Sequence, residues 1–263
     1  MLDIYITSKI SSDFDKVIKI AEENSINIEI GGLLNAGFDE KTLFKTVDLY
    51  VGKLRNFGGK ISIHGCSGDL STVSKDPEIK KISIQRYQTS FDVAKKLKAS
   101  TVVFHSNFVP FGRSREHYVK KLITKNIEFW SEFIKQFEEA KITAVIENVY
   151  DPTPEVINRI VEGVNSPYLK ACLDTGHANL ISKMSASEWI RASEKHIHHI
   201  HAHNNHKAYD EHNGFFDGDI DFEQVFNTIK SLKINPDIVV EVFDQKQAIL
   251  SAQYLREFIK KGE

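Results

Sequence analysis

The sequence predicts an α/β fold, a single (β/α)8 TIM barrel over residues 1–263, and two observations predict it. Short β-branched runs alternate with longer segments whose apolar residues recur at helical spacing. The alternation repeats eight times with no linker, low-complexity tract or break in composition. A doubly wound sheet also alternates, but eight even units without a long insertion favour closure.

The runs come in order. "LDIYIT" (2–7) leads into the helical pattern "DFDKVIKIAEEN", and "INIEIGG" (26–32) is the second run. "KISIHG" (60–65) and "TVVFHS" (101–106) follow, and "FWSEFIKQFEEA" is the helical stretch after the fourth run. "TAVIENV" (143–149), "LKACLDT" (169–175) and "IHHIHAHN" (197–204) come next, then the helical "DFEQVFNTIKSL". "DIVVEVF" (237–243) is the eighth run, before "AILSAQYLREFIKK".

Composition narrows the classes of function. With 41% hydrophobic and 27% charged residues the chain has ample material for a core. A formal charge of −2 offers no global basic excess to draw nucleic acid or an anionic membrane. The start "MLDIYITSKISSDFDK" lacks the basic head and apolar run of a signal peptide. No stretch approaches the roughly 18 apolar residues of a membrane span. Cys66 and Cys172 make no disulfide framework and read as packed thiols. A cytoplasmic protein is the expectation.

The ionisable residues fall in a pattern. His64, His105, Glu147, Asp174 and His203 close the third to seventh runs, and Glu241 lies near the end of the eighth. In a barrel those carboxyl ends converge on one mouth, where active sites are built. Alone, the histidine of "IHG" or "FHS" reads as a capped or packed residue. A glutamate after "AVI" or "IVV" costs several kcal/mol unless it is paired or bound to metal. Six such residues on consecutive runs point to one shared site. Imidazole with carboxylate suits zinc, manganese or iron(II), and a carboxylate can bridge two ions. One to three divalent ions, zinc or manganese, fit the set.

"LDTGH" adds His177 three residues after Asp174, and "YDEH" adds Asp210 and His212. The tract 196–212 holds seven of the eleven histidines. His199, His201 and His203 alternate and share a face. His203, the last, is the expected ligand, with His201 behind it or as the alternative. His196, His198 and His206 read as surface residues.

In order and combination, "SIHG" (62–65), "VVFH" (102–105), "IEN" (146–148), "LDTGH" (173–177), "HAHNN" (201–205), "YDEHNGFFDGDIDF" (209–222) and "VVEV" (239–242) resemble the xylose isomerase-like barrels. That superfamily holds the sugar (phosphate) isomerases and epimerases and apurinic endonuclease IV. The resemblance implies that Glu147, Asp174, His203 and Glu241 form the single-metal site shared by the epimerases. It implies a second ion at His64 and His105 with Glu147 bridging, and a third at His177, Asp210 and His212, as in endonuclease IV.

Three features favour the isomerase branch. The charge balance is slightly acidic, whereas DNA binding rests on phosphate-neutralising Lys and Arg. "HGCSGDL" offers no large side chain to probe a duplex. The "HG....L" pattern, long helix and "VVFH" are similar to the sugar isomerases. The chain departs from the ketose epimerases, which carry an arginine six residues after the ligand histidine of strand 7, where Tyr209 stands. The expected activity is isomerisation or epimerisation of a sugar or sugar phosphate through an enediolate. Glu147 and Glu241 would move the proton, and His64, His105 and His177 would contact substrate. The alternative is an endonuclease IV-like zinc phosphoesterase cleaving abasic DNA. A silent sugar-binding sensor is a third class, with no residue to support it. Arg113 and Arg115 could hold a phosphate or carboxylate, and Glu29 a substrate hydroxyl or a neighbouring cation. Oligomeric state, including a homo-oligomer, is left open.

Overall fold

A computed structural model describes residues 2–35, 37–110 and 115–260. Eight parallel strands close in sequence order, β1 to β8, with β8 pairing back to β1. They are β1 (Ile4–Thr7), β2 (Asn27–Ile30), β3 (Ile61–His64), β4 (Thr101–His105), β5 (Thr143–Glu147), β6 (Leu169–Asp174), β7 (Ile197–Ala202) and β8 (Asp237–Val240). The helices that cover them are α1 (Phe14–Glu23), α2 (Glu40–Lys53), α3 (Pro77–Leu97), α4 (Arg115–Phe133), α5 (Lys135–Ala140), α6 (Glu155–Val164), α7 (Thr175–Ile181), α8 (Ala186–Ala192), α9 (Phe222–Leu232) and α10 (Gln245–Lys260). This is the (β/α)8 barrel that the alternation predicts. No helix among the described residues is long and apolar enough to cross a membrane.

Local chemistry sets the helix starts. Asp13, Asp39 and Asp221 accept backbone N–H groups at the N-caps of α1, α2 and α9. Asp76 caps α3, with Pro77 supplying a first-turn residue whose φ is already helical. Ser185 and Glu188 form a reciprocal capping box at α8.

Two faces of each strand do different work, because alternate residues point to opposite sides. Phe104, Ile146 and Leu173 belong to the main apolar core with residues of the surrounding helices. Phe104 is fully buried and packs on Tyr87, Trp130 and Phe137, with ring centroids 4.4, 5.5 and 6.1 Å away. Val103, Val145 and Cys172 form a separate small cluster. One pleat further along the same faces come His105, Glu147 and Asp174. The period of two thus carries chemistry to the mouth on the very face that fills the barrel.

Truncating Phe104 to Ala should cost about 3–5 kcal/mol in urea unfolding. Removing the exposed Ser185 cap should cost only about 1 kcal/mol. Equal losses for the two variants would show that the aromatic layer between sheet and helices is not what holds the barrel shut.

Candidate active site

Glu147 sits at the centre of the mouth and is 1% exposed. Its Oε2 lies 3.3 Å from His64 Nε2 and 3.6 Å from His105 Nε2. Its Oε1 lies 3.4 Å from His177 Nδ1 and 3.5 Å from His201 Nδ1. One carboxylate from β5 therefore gathers imidazoles from β3, β4, β7 and the first turn of α7.

On the seventh strand the expected order changes. His203 is the partner that the sequence assigns to Glu147, Asp174 and Glu241, with His201 behind. The structure instead brings His201 to all three. His201 Nδ1 is 3.1 Å from Glu241 Oε2, 3.5 Å from Glu147 Oε1 and 3.8 Å from Asp174 Oδ2. Register is the reason. An irregularity between Ala171 and Cys172 aligns His201 with Asp174 across the β6–β7 pair. His203 then lies past the end of β7, and its Nε2 reaches Asp174 Oδ1 at 3.0 Å and Asp210 Oδ1 at 3.8 Å. Counted from His201, the sixth residue on is Lys207 rather than Tyr209.

A third corner forms around Asp210. His212 Nε2 is 2.9 Å from Asp210 Oδ2, and His177 Nε2 is 3.4 Å from the same oxygen. Asp174 also serves as N-cap of α7, accepting the His177 N–H at 2.7 Å. Asn204 and Asn205 secure the loop that carries Asp210 and His212. Asn204 donates to the carbonyls of Phe215 and Ile220, and Asn205 donates to that of Gly176. Gly176 leaves the room that His203 occupies, since a Cβ there would fall 2.0 Å from His203 Cε1.

Several imidazoles are pinned through one nitrogen. The Nδ1–H of His64 donates to Gly65 O at 2.9 Å, that of His177 to Asn148 O at 2.9 Å, and that of His212 to Glu241 O at 2.8 Å. A carbonyl can only accept, so Nδ1 is the donor and Nε2 turns to the carboxylates. His201 is fixed the other way round. Its Nε2 lies 3.0 Å from Glu29 Oε1, which leaves Nδ1 facing the centre. Outer carboxylates and carbonyls that orient imidazoles in this way are a property of metal sites. Glu29 is itself committed, accepting from Ser62 Oγ at 2.9 Å and facing His199 Nε2 at 2.9 Å.

Donor atoms of His64, His105 and Glu147 lie within 4.8 Å of one another, as do those of Glu147, Asp174 and His201, and those of His203, His212 and Glu241. Buried Glu147 Oε2 and His201 Nδ1 have no hydrogen-bond partner among the described residues. Buried imidazole and carboxylate atoms left without a partner fit a divalent ion.

Mutual charge sets the protonation of the cluster. Burial would raise the glutamates, but the charge of His201 outweighs it and holds Glu147 and Glu241 well below the usual carboxylate range. Burial would likewise lower His177 and His201, yet Cys172 beside His201 and the carboxylates around both lift them well above the usual imidazole range. At His105 burial wins, and the imidazole is pushed down to about 4.

Other expectations resolve as follows. His196 and His206 pair with the surface acids Glu162 and Glu211. Burial pushes His198 down to about 4. Both cysteines are buried and unpaired. Arg113, and the side chain of Arg115, lie outside the described residues. A cavity of about 380 Å³ opens beside His105, lined by Ser67, Asp69, Asn107, Phe108 and Tyr150. Sequence reasoning missed three contributors: Lys9, whose Nζ is 3.0 Å from Glu241 Oε1, and the asparagines Asn148 and Asn204. The "SKI" after the first run and the "NN" after "HAH" were the available signals.

Comparison with known proteins agrees with this architecture. The family model described as the xylose isomerase-like TIM barrel matches residues 24–261, and the chain belongs to that family. It is 26% identical over 221 residues to the Methanocaldococcus jannaschii protein MJ1311, covering 80% of this chain and 74% of that one. Among solved structures, a D-tagatose 3-epimerase-like protein superposes with a TM-score of 0.81 at 23% identity, covering 99% of this chain and 98% of that one. The TTHB071 protein of Thermus thermophilus, soaked with ZnCl2, gives 0.78 at 22% identity over 100% of both chains. At these identities the structural likeness is one of fold.

Imidazoles held above their usual range must shed protons before they can bind a cation. Affinity for Zn2+ should therefore keep rising with pH above the usual imidazole range, and binding should release protons. Calorimetry in two buffers of different ionisation enthalpy measures this release. A buffer-independent heat and a flat pH profile would rule out these histidines as ligands.

Proposed function

We propose that the chain is a divalent-metal-dependent isomerase or epimerase of a sugar or sugar phosphate, working by proton abstraction next to a carbonyl. The observation that carries this reading is the pair of buried glutamates, Glu147 and Glu241, that flank one imidazole nitrogen at 3.5 and 3.1 Å. They arrive from β5 and β8, three strands apart around the barrel. The likeness to a D-tagatose 3-epimerase-like protein supports it.

Glu147, Asp174, His201 and Glu241 would hold the ion. When bound, it supplies Lewis-acid polarisation of adjacent substrate oxygens. The chain's own residues do the rest. One glutamate removes the proton from the carbon beside the carbonyl, and the other returns a proton from a different side. The surrounding imidazoles favour the ionised form, which the base needs, and the glutamate that returns a proton must first take one up. His177, whose Nε2 lies 3.4 Å from Asp210 Oδ2, would contact a substrate hydroxyl. The cavity beside His105 receives the part of the substrate remote from the reacting carbon.

A second reading rests on a separate observation. Two donor groups share Glu147, and His177 and His212 both face Asp210 Oδ2, an arrangement suited to two or three ions acting on a phosphoester. Abasic DNA is the substrate to try, with His64, His105, Asp210 and His212 then essential.

Incubating metal-loaded protein with ketoses and sugar phosphates in D2O separates the two. Deuterium should enter the carbon beside the carbonyl of one compound. Glu147→Gln and Glu241→Gln should each slow that entry by about 10²–10⁴-fold. Chelator-sensitive nicking of an abasic duplex, with no deuterium uptake by any sugar, would overturn the isomerase reading in favour of the phosphoesterase.

A further inference from the structure

The ion pair of Lys9 with Glu241 places a fixed positive charge beside the proposed metal centre. Lys9 lies in the short 3-10 turn Ser8–Ile10, directly after β1. Its stem crosses the end of β2 at Gly31, where an added Cβ would meet Lys9 Cε at 3.0 Å. Ser8 Oγ ties that crossing together, bonding both the carbonyl and the N–H of Gly31. The ammonium lies 4.8 Å from the ring centroid of Phe243. Phe243 is stacked on His212 at 4.0 Å, and His212 on His203 at 3.9 Å. The lysine is thus seated on a track, with glycine on one side and a column of stacked rings on the other.

Glu147 and Glu241 consequently differ. Both oxygens of Glu147 face imidazoles. Glu241 is split, with Oε2 toward His201 and Oε1 toward Lys9 at 3.0 Å. Among the described residues, Lys9 is the one lysine or arginine paired with a carboxylate of this cluster. An ammonium this near competes with a dication for the same carboxylate, and repulsion in a poorly solvated mouth is strong. We propose that Lys9 is a positioning residue of this site: it reserves Oε1 of Glu241, leaves Oε2 to face the ion, and loosens the ion's hold. The inference rests on the metal reading of the site and on neither choice of substrate.

The test is calorimetric titration of Mn2+ into the metal-free wild-type protein, Lys9→Met and Lys9→Arg, with a thermal melt of each. Methionine keeps the stem and removes the charge, so Lys9→Met should bind Mn2+ about tenfold or more tightly, the scale of relieving one like charge at short range. Lys9→Arg keeps the charge and should bind like wild type. Unchanged or weaker binding by a folded Lys9→Met overturns the proposal. Should Lys9→Met fail to fold, the arginine variant decides, since tenfold tighter binding with the charge retained would overturn it. Absence of Mn2+ binding to the wild type would remove the metal centre itself, and the role of Lys9 with it.

Discussion

Glu147 carries its charge where solvent scarcely reaches it, and the rest of the mouth is arranged around that fact. An isolated carboxylate at such depth would cost several kcal/mol and would take up a proton instead. Four imidazole nitrogens within 3.6 Å keep it ionised. Each needs an anchor of its own, and the anchors reach far into the fold. His64 is held by the carbonyl of Gly65 and His177 by that of Asn148. His201 is held by Glu29 from the opposite wall of the barrel. The strands are short, yet their ends are cross-linked by polar contacts between residues distant in sequence.

The same demand shapes the interior below the mouth. A (β/α)8 barrel is ordinarily filled by branched apolar side chains in layers. Here Val103, Val145 and Cys172 contribute such a layer, while Glu29, His199, His201 and Ser62 occupy the other side as a connected polar group. Every member of that polar group is at most 1% exposed. Glu29 is the hub of that group, accepting from Ser62 and facing both His199 and His201. It fixes the face of His201 that points to the centre.

Much of this was legible in the letters. The barrel followed from alternating periodicities, and the convergence of His64, His105, Glu147, Asp174 and Glu241 followed from their places at strand ends. The choice between His201 and His203 was not legible. It depends on where β7 ends: the pairing sets His201 level with Asp174 and leaves His203 past the last strand residue, Ala202. Lys9 was hidden for a related reason. Its partner Glu241 is 232 residues away, and a lysine after a strand is an ordinary surface residue until the barrel closes. Glu29 showed as a carboxylate near a strand end, but that it faces His199 and His201 required the closed geometry. Motifs located the donors, and tertiary contacts decided which nitrogen or oxygen each one presents.

The central claim is that Glu147, Asp174, His201 and Glu241 surround one ion position. Anomalous diffraction from crystals grown with Zn2+, recorded on both sides of the zinc edge, tests it most directly. The account predicts a peak within bonding distance of His201 Nδ1 and at least two of the three carboxylates, roughly 2.0–2.2 Å from each donor. A peak bound by His203 and His212, with His201 Nδ1 left out, would contradict it.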